Sequence, residues 1–217
     1  MAGRLFADRY EAGVVLARHL SHLRGEPAVV LGLPRGGVPV AFEVARVLDA
    51  PLDVIVVRKV GVPYQPELAM GAIGERGVRI VDERIMRAAG ATEADFESVE
   101  RRERAELERR ASLYRGGKPP ASLDDQLAVI VDDGIATGST AKAAAQVARA
   151  LGATRIVVAT PVAPSDVVGR LGGDADEVVI AETPSRFHAI SQFYADFSQT
   201  SDAEVTRLLD QASERRD

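Results

Sequence analysis

The chain has no cysteine in 217 residues. Disulfides, zinc–thiolate sites, iron–sulfur clusters and a Cys nucleophile are excluded by that alone. It also has no tryptophan and only three histidines, too few for a His-rich metal site. No apolar run approaches the ~18 residues of a membrane helix. The apolar stretch 12–17 is broken by Gly13 and is too short for a signal-peptide core. A cytoplasmic protein with no membrane partner is the expectation. Basic charge is in short supply: 27 Lys and Arg stand against 32 Asp and Glu, a net charge of −5. Binding by phosphate neutralisation needs the opposite balance, so nucleic acid is not the expected partner. What remains is the makeup of an ordinary globule, 46% apolar and 27% charged, which excludes disorder and collagen-like structure.

Residues 8–22 carry Tyr10, Val14, Leu16, Ala17 and Leu20 at mostly helical spacing and predict a helix. The apolar run 28–31, ending in Gly32, predicts a buried strand. A loop over 33–37 follows, then helical periodicity over 38–48 and a second strand over 52–57, closed by Arg58-Lys59. Gly61, Pro63 and Pro66 predict a loop over 60–67. Short strands are expected at 68–73 and 78–81. Thr92-Glu93-Ala94-Asp95 matches a capping box. The charged run behind it pairs Glu97 with Arg101, Glu100 with Arg104 and Glu106 with Arg110, which supports a helix over about 93–115. Further strands are expected at 127–131, 155–160 and 177–181. Helices are expected at 140–151, 164–171 and 202–212, with Gly152 closing the first of them. Strand and helix alternate, and several strands are apolar throughout. The fold class is therefore α/β, with a mainly parallel sheet flanked by helices. Such sheets bind ligands beyond the carboxyl ends of their strands, which directs attention to the residues after 31, 57, 131 and 160.

After the strand 127–131 comes Asp132-Asp133-Gly134-Ile135-Ala136-Thr137-Gly138-Ser139-Thr140, and a helix begins at once. Gly134 and Gly138 bracket a tight turn into a helix N-terminus, where free N–H groups meet the positive end of the helix dipole. Thr137, Ser139 and Thr140 add hydroxyls, which makes a phosphate cradle. Two adjacent carboxylates precede it, and keeping both ionised needs hydroxyl donors or a cation. Alone, Asp-Asp-Gly reads as an Asx turn and helix cap; the full string after a buried strand favours the cradle.

This string resembles the phosphoribosyl-pyrophosphate (PRPP) signature of type I phosphoribosyltransferases. The resemblance implies that Asp132 and Asp133 hold the ribose 2′- and 3′-hydroxyls. It also implies that Gly134, Ile135, Ala136, Thr137, Gly138, Ser139 and Thr140 hold the 5′-phosphate. Gly32-Leu33-Pro34-Arg35-Gly36-Gly37 resembles the family's pyrophosphate loop, and Arg58-Lys59 its basic pyrophosphate contact. The core match covers about 25–185, within a single domain over 1–217. A hood over about 183–200 joins the N-terminal part. The segments 31–40, 57–75 and 187–197 resemble a subgroup of bacterial and archaeal phosphoribosyltransferase-domain proteins.

The implied activity is transfer of a 5-phosphoribosyl group from PRPP to a small-molecule acceptor, a nitrogenous base or related nucleophile of nucleotide metabolism, with release of pyrophosphate. Arg35, Lys59, Asp132 and Asp133 are the candidate catalytic residues. Arg35, Gly36, Gly37, Arg58 and Lys59 are the pyrophosphate candidates. The implied cofactor is Mg²⁺, held mainly by PRPP and additionally by Asp132 and Asp133. Family members acting on 6-oxopurines usually carry Asp where this chain has Ala136, which weakens a hypoxanthine–guanine reading. Glu67, in the segment where the family carries a mobile loop, and Phe193 and Tyr194 of the aromatic segment 186–197 are candidates for the acceptor side. The resemblance also implies a homodimer. The alternative is a PRPP- or nucleotide-binding regulatory protein without turnover. A receiver- or phosphatase-like Mg²⁺ enzyme would need a partner Asp or Lys at another strand end, and none is convincing.

Overall fold

The apolar runs beginning at 28, 127 and 155 become the centre of a parallel sheet. The structure is a computed structural model and describes residues 5–215. In chain order the elements are α1 (Arg9–His19), β1 (Ala28–Gly32), α2 (Gly37–Leu48), β2 (Leu52–Val54), β3 (Val57–Val62), β4 (Gln65–Gly74), β5 (Arg79–Val81), α3 (Glu83–Ala89), α4 (Glu93–Arg115), β6 (Leu127–Val131), α5 (Ser139–Ala150), β7 (Arg155–Val162), α6 (Val167–Leu171), β8 (Glu177–Glu182) and α7 (Asp202–Glu214).

Five parallel strands lie in the order β2-β1-β6-β7-β8. Their side chains alternate between two faces, and both faces are covered. Val29, Leu31, Ala128, Ile130, Ile156 and Val158 pack with α5. Val30, Leu127, Val129, Val131 and Val157 pack with α1 and α2. That double burial is why β1 and β6 are apolar at every position. The chain runs from β1 outward to β2 on one side, and from β6 outward to β7 and β8 on the other. The direction reverses between β1 and β6, which pair from Ala28↔Leu127 to Gly32↔Val131. In open α/β sheets that reversal leaves a crevice at the carboxyl ends of the two strands.

The second sheet departs from the sequence reading. The expected strand over 52–57 is two strands: β2 ends at Val54, and β3 opens an antiparallel sheet, β3-β4-β5. The expected loop over 60–67 is the β3–β4 hairpin, with Pro63 and Tyr64 at its tip. The turn-forming residues are absorbed by the pairing. The register shifts around Gly61, where an added Cβ would lie 2.3 Å from the Pro66 carbonyl oxygen. Val60, Val62, Met70 and Ile73 of this sheet pack on Phe96, Leu107 and Tyr114 of α4 and on Val205 and Leu208 of α7. The Thr92–Asp95 capping box forms. Of the three expected helix ion pairs, Glu100–Arg104 and Glu106–Arg110 form; Glu97–Arg101 does not among the described residues.

A buried charge cluster joins the sheets. Arg115, at the end of α4, pairs with Asp53 of β2 at 2.8 Å and with Glu75 just after β4, and its Nη2 donates to the Val54 carbonyl. Losing one partner of such a buried cluster leaves an uncompensated charge. Among the described residues, no helix is long and apolar enough to cross a membrane.

Candidate functional site

Two turns leave the carboxyl ends of β1 and β6 side by side. The Leu33 amide donates to the Val131 carbonyl at 2.8 Å. A Cβ added at Gly36 would lie 2.0 Å from Asp133 Oδ2, and one at Gly37 would lie 2.5 Å from the Val131 carbonyl oxygen. These glycines are therefore required by the contact between the turns. The Pro34–Arg35 peptide is cis.

The turn after β6 is open where an anion would sit. Gly138 caps α5 with φ +82° and no side-chain hydrogen bond. Among the described residues, the backbone amides of residues 136–141 make no hydrogen bond. Ala136, Thr137 and Thr140 are exposed, and the Thr137 and Ser139 hydroxyl oxygens lie 3.3 Å apart. Unpaired amides at the positive end of a twelve-residue helix form an anion site. Two members of the expected set differ. Ile135 is buried in the core, and its amide donates to the Val162 carbonyl at 3.0 Å. It anchors the turn and has no amide left for a ligand. Gly134 is covered by Ile190, which an added Cβ would meet at 2.4 Å.

The acid pair stands at the entrance to this turn. Asp132 Oδ1 accepts from the Asp133 amide at 2.9 Å. Asp133 is 8% exposed, and its Oδ2 accepts from Arg9 Nε at 2.7 Å. Burial pushes the Asp132 carboxyl well above the usual carboxylate range, and the neighbouring Asp133 charge pushes it further. Burial also raises Asp133, while Arg9 opposes that rise. Hydroxyl donors or a cation placed between the two carboxyls would favour their ionised forms. The residues suit a cation that arrives with its own oxygen ligands. Among the described residues, no cluster of three or more His, Cys, Asp or Glu could hold a metal ion, and two carboxylates plus substrate phosphates is a common magnesium arrangement.

The pyrophosphate candidates divide. Arg35 is partly exposed, and its Nη1 lies 3.8 Å from Asp202 Oδ1, an ion pair longer than a hydrogen bond. Its guanidinium keeps its donors. The Gly37 amide, by contrast, is engaged by the Leu33 carbonyl at 3.0 Å, so Gly37 offers no backbone donor. Arg58 and Lys59 sit on β3 and point to opposite faces. Arg58 turns to α4 and donates to Glu103 at 2.8 Å, an ion pair that occupies its guanidinium in this structure. Lys59 is exposed and has no partner among the described residues. It lines a cleft of about 600 Å³ with Glu67, Ser139 and Lys142. The cleft thus reaches from the hairpin to the turn after β6.

The acceptor-side expectation for Phe193 and Tyr194 is corrected by their burial. They are 1% and 3% exposed and pack with Phe6 and Ala12. Tyr194 donates its hydroxyl to the Asp133 carbonyl at 2.6 Å, so it braces the acid pair from behind. Sequence reasoning missed Arg9. Its partner is 124 positions away, and nothing in its local pattern marks it beyond a place in the first turn of α1.

This geometry belongs to a known class. The sequence model of the phosphoribosyl transferase domain matches residues 11–198, and the chain belongs to that family. Two Mycobacterium tuberculosis proteins, provisionally named phosphoribosyl transferases MT0597 (strain CDC 1551 / Oshkosh) and Rv0571c (strain ATCC 25618 / H37Rv), are each 57% identical over 209 residues, covering 96% of this chain and 47% of theirs. The chain therefore spans about half the length of the curated relatives it matches. The crystal structure of TT1426 from Thermus thermophilus is similar at TM-score 0.87 and 45% identity, covering 94% of this chain and 97% of that one. A hypothetical protein from Neisseria gonorrhoeae, solved with bound ppGpp, shares the fold alone, at TM-score 0.52 and 10% identity over 97% of this chain and 98% of that one.

Proposed function

We propose that this site transfers the 5-phosphoribosyl group of PRPP to a small nitrogen nucleophile and releases pyrophosphate. One observation carries the reading: a row of unpaired amides at the start of α5 lies directly after two carboxylates, in the crevice between β1 and β6. An anion on the amides and a diol on the carboxylates are the two ends of a ribose 5-phosphate.

The residues divide the work. Asp132 and Asp133 accept hydrogen bonds from the ribose hydroxyls. The amides of residues 136–141 and the hydroxyls of Thr137, Ser139 and Thr140 take the 5′-phosphate. Arg35 and Lys59 meet the pyrophosphate as it gains negative charge, and preorganised cations are most effective at that stage. The bond from C1 to the pyrophosphate oxygen breaks, its electron pair leaves with pyrophosphate, the acceptor nitrogen forms the new bond to C1, and the proton that nitrogen sheds passes to water. A magnesium ion, when bound with PRPP, would neutralise the leaving group, with Asp132 and Asp133 as its protein contacts. Ala136 supplies no proton acceptor, which directs the search to acceptors other than 6-oxopurines.

The test is incubation with PRPP, Mg²⁺ and a panel of nucleobases and related amines, measuring pyrophosphate. Acceptor-dependent release is expected. PRPP binding without release across the panel would replace transfer by ligand sensing.

A further inference from the structure

Arg9 lies before the stretch that the family model matches, which begins at residue 11. It nevertheless reaches the centre of the site. Its Nε donates to Asp133 Oδ2 at 2.7 Å, and its Nη1 donates to the Ser198 carbonyl at 2.7 Å. Its guanidinium carbon lies 4.0 Å from the centroid of the Phe197 ring. The side chains of Arg9 and Asp133 are each 12% exposed. The space around Asp133 Oδ2 is closed on the other side by Gly36, whose missing Cβ would fall 2.0 Å from that oxygen and 3.2 Å from Arg9 Nε. Tyr194 holds the same residue by its carbonyl. The Asp133 carboxyl also shares a hydrogen bond with the Asp132 side chain, so Arg9 on one side and Asp132 on the other fix its orientation.

We infer that Arg9 is a positioning residue of the phosphoribosyl site: it holds the Asp133 carboxylate beside Asp132 in the orientation that meets the sugar, and through Phe197 and Ser198 it ties that carboxylate to the hood. This rests on the reading of Asp133 as a ribose ligand. A planar guanidinium suits the task because it donates in two directions while stacking on a ring. A lysine has one compact charge and cannot do all three. Arg9 touches neither the reacting bond nor the leaving group, so its effect is confined to ligands that carry the sugar.

The experiment is calorimetric titration of wild type, Arg9→Met and Arg9→Lys with two probes, ribose 5-phosphate and inorganic pyrophosphate, both without added divalent metal. The inference expects Arg9→Met to lose at least tenfold in affinity for ribose 5-phosphate with pyrophosphate affinity unchanged. Arg9→Lys should recover part of the loss. A merely structural ion pair would shift thermal stability and leave the ratio of the two affinities alone. Losses equal for both probes, or no loss for either, would overturn the inference. If Arg9→Met does not fold, Arg9→Lys decides by the same ratio. Failure of the wild type to bind ribose 5-phosphate would be a different failure: it would remove the ribose role of Asp133, and the inference with it.

Discussion

Two turns leave neighbouring parallel strands and end in helices, yet they offer different chemistry. After β6, the backbone itself is the binding group, because the amides of residues 136–141 have no internal partner. After β1, the backbone is only partly free: among the described residues the Arg35 and Gly36 amides alone of the loop 35–38 make no hydrogen bond. The Leu33, Gly37 and Val38 amides donate to carbonyls within or beside the turn, and the Arg35 side chain adds a cationic group that the turn after β6 lacks. The contrast teaches that glycines at two strand ends can serve different needs. The glycines after β1 allow the turn to lie against Asp132 and Asp133. Gly138 allows a helix to start with its donors free.

The largest effect should come from forcing the turns apart. Gly36→Ala places a Cβ against Asp133 Oδ2, and a displacement of that kind costs on the order of 100-fold in a positioned site. PRPP affinity should fall by that order in calorimetry; wild-type affinity would show that the close contact has no bearing on the ligand. Asp132→Asn comes next. Removing a charged acceptor should weaken PRPP binding about ten- to hundredfold, from ~1.5–3 kcal/mol per charged hydrogen bond. The same change should raise the melting temperature of the ligand-free protein. The Asp132 pKa is raised in the folded state, so the unfolded chain binds fewer protons between the two values. Stability is therefore lost as pH rises through that window, and Asn removes the loss. PRPP affinity should move the opposite way, rising with pH as the carboxyl ionises.

Smaller effects separate the turn after β1 from the turn after β6. Arg35→Ala should cost pyrophosphate about tenfold, the loss of one charge-assisted contact, and leave ribose 5-phosphate nearly unchanged. Equal losses for both would erase the distinction between the turns. On β3, Lys59→Ala should weaken pyrophosphate severalfold. Arg58→Ala should leave binding alone and cost about 0.5–1 kcal/mol of stability, since its ion pair with Glu103 is partly exposed. Chemical denaturation and the same titrations would read both.

The central strands and the turn after β6 were legible because their signals are local. A buried strand, two acids and a glycine-bracketed hydroxyl turn are contiguous, and the physics of each is short-range. Gly61, Pro63 and Pro66 have the composition of a loop and so make Arg58 and Lys59 look like a strand end; a register shift lets a hairpin hold them. Once the segment is a strand, alternation sends the two cations to opposite faces. Phe193 and Tyr194 have the composition of a stacking surface, and only the three-dimensional packing with Phe6 and Ala12 shows them as core. Arg9 had no sequence signal, because a salt bridge across 124 positions leaves none.

The most direct measurement is calorimetric titration of PRPP, with Mg²⁺ present, into wild type and into the Asp132→Asn/Asp133→Asn variant. The account predicts one binding event per chain in the wild type and none detectable in a variant that remains folded. Equal heats from both proteins, or no heat from the wild type, would contradict it.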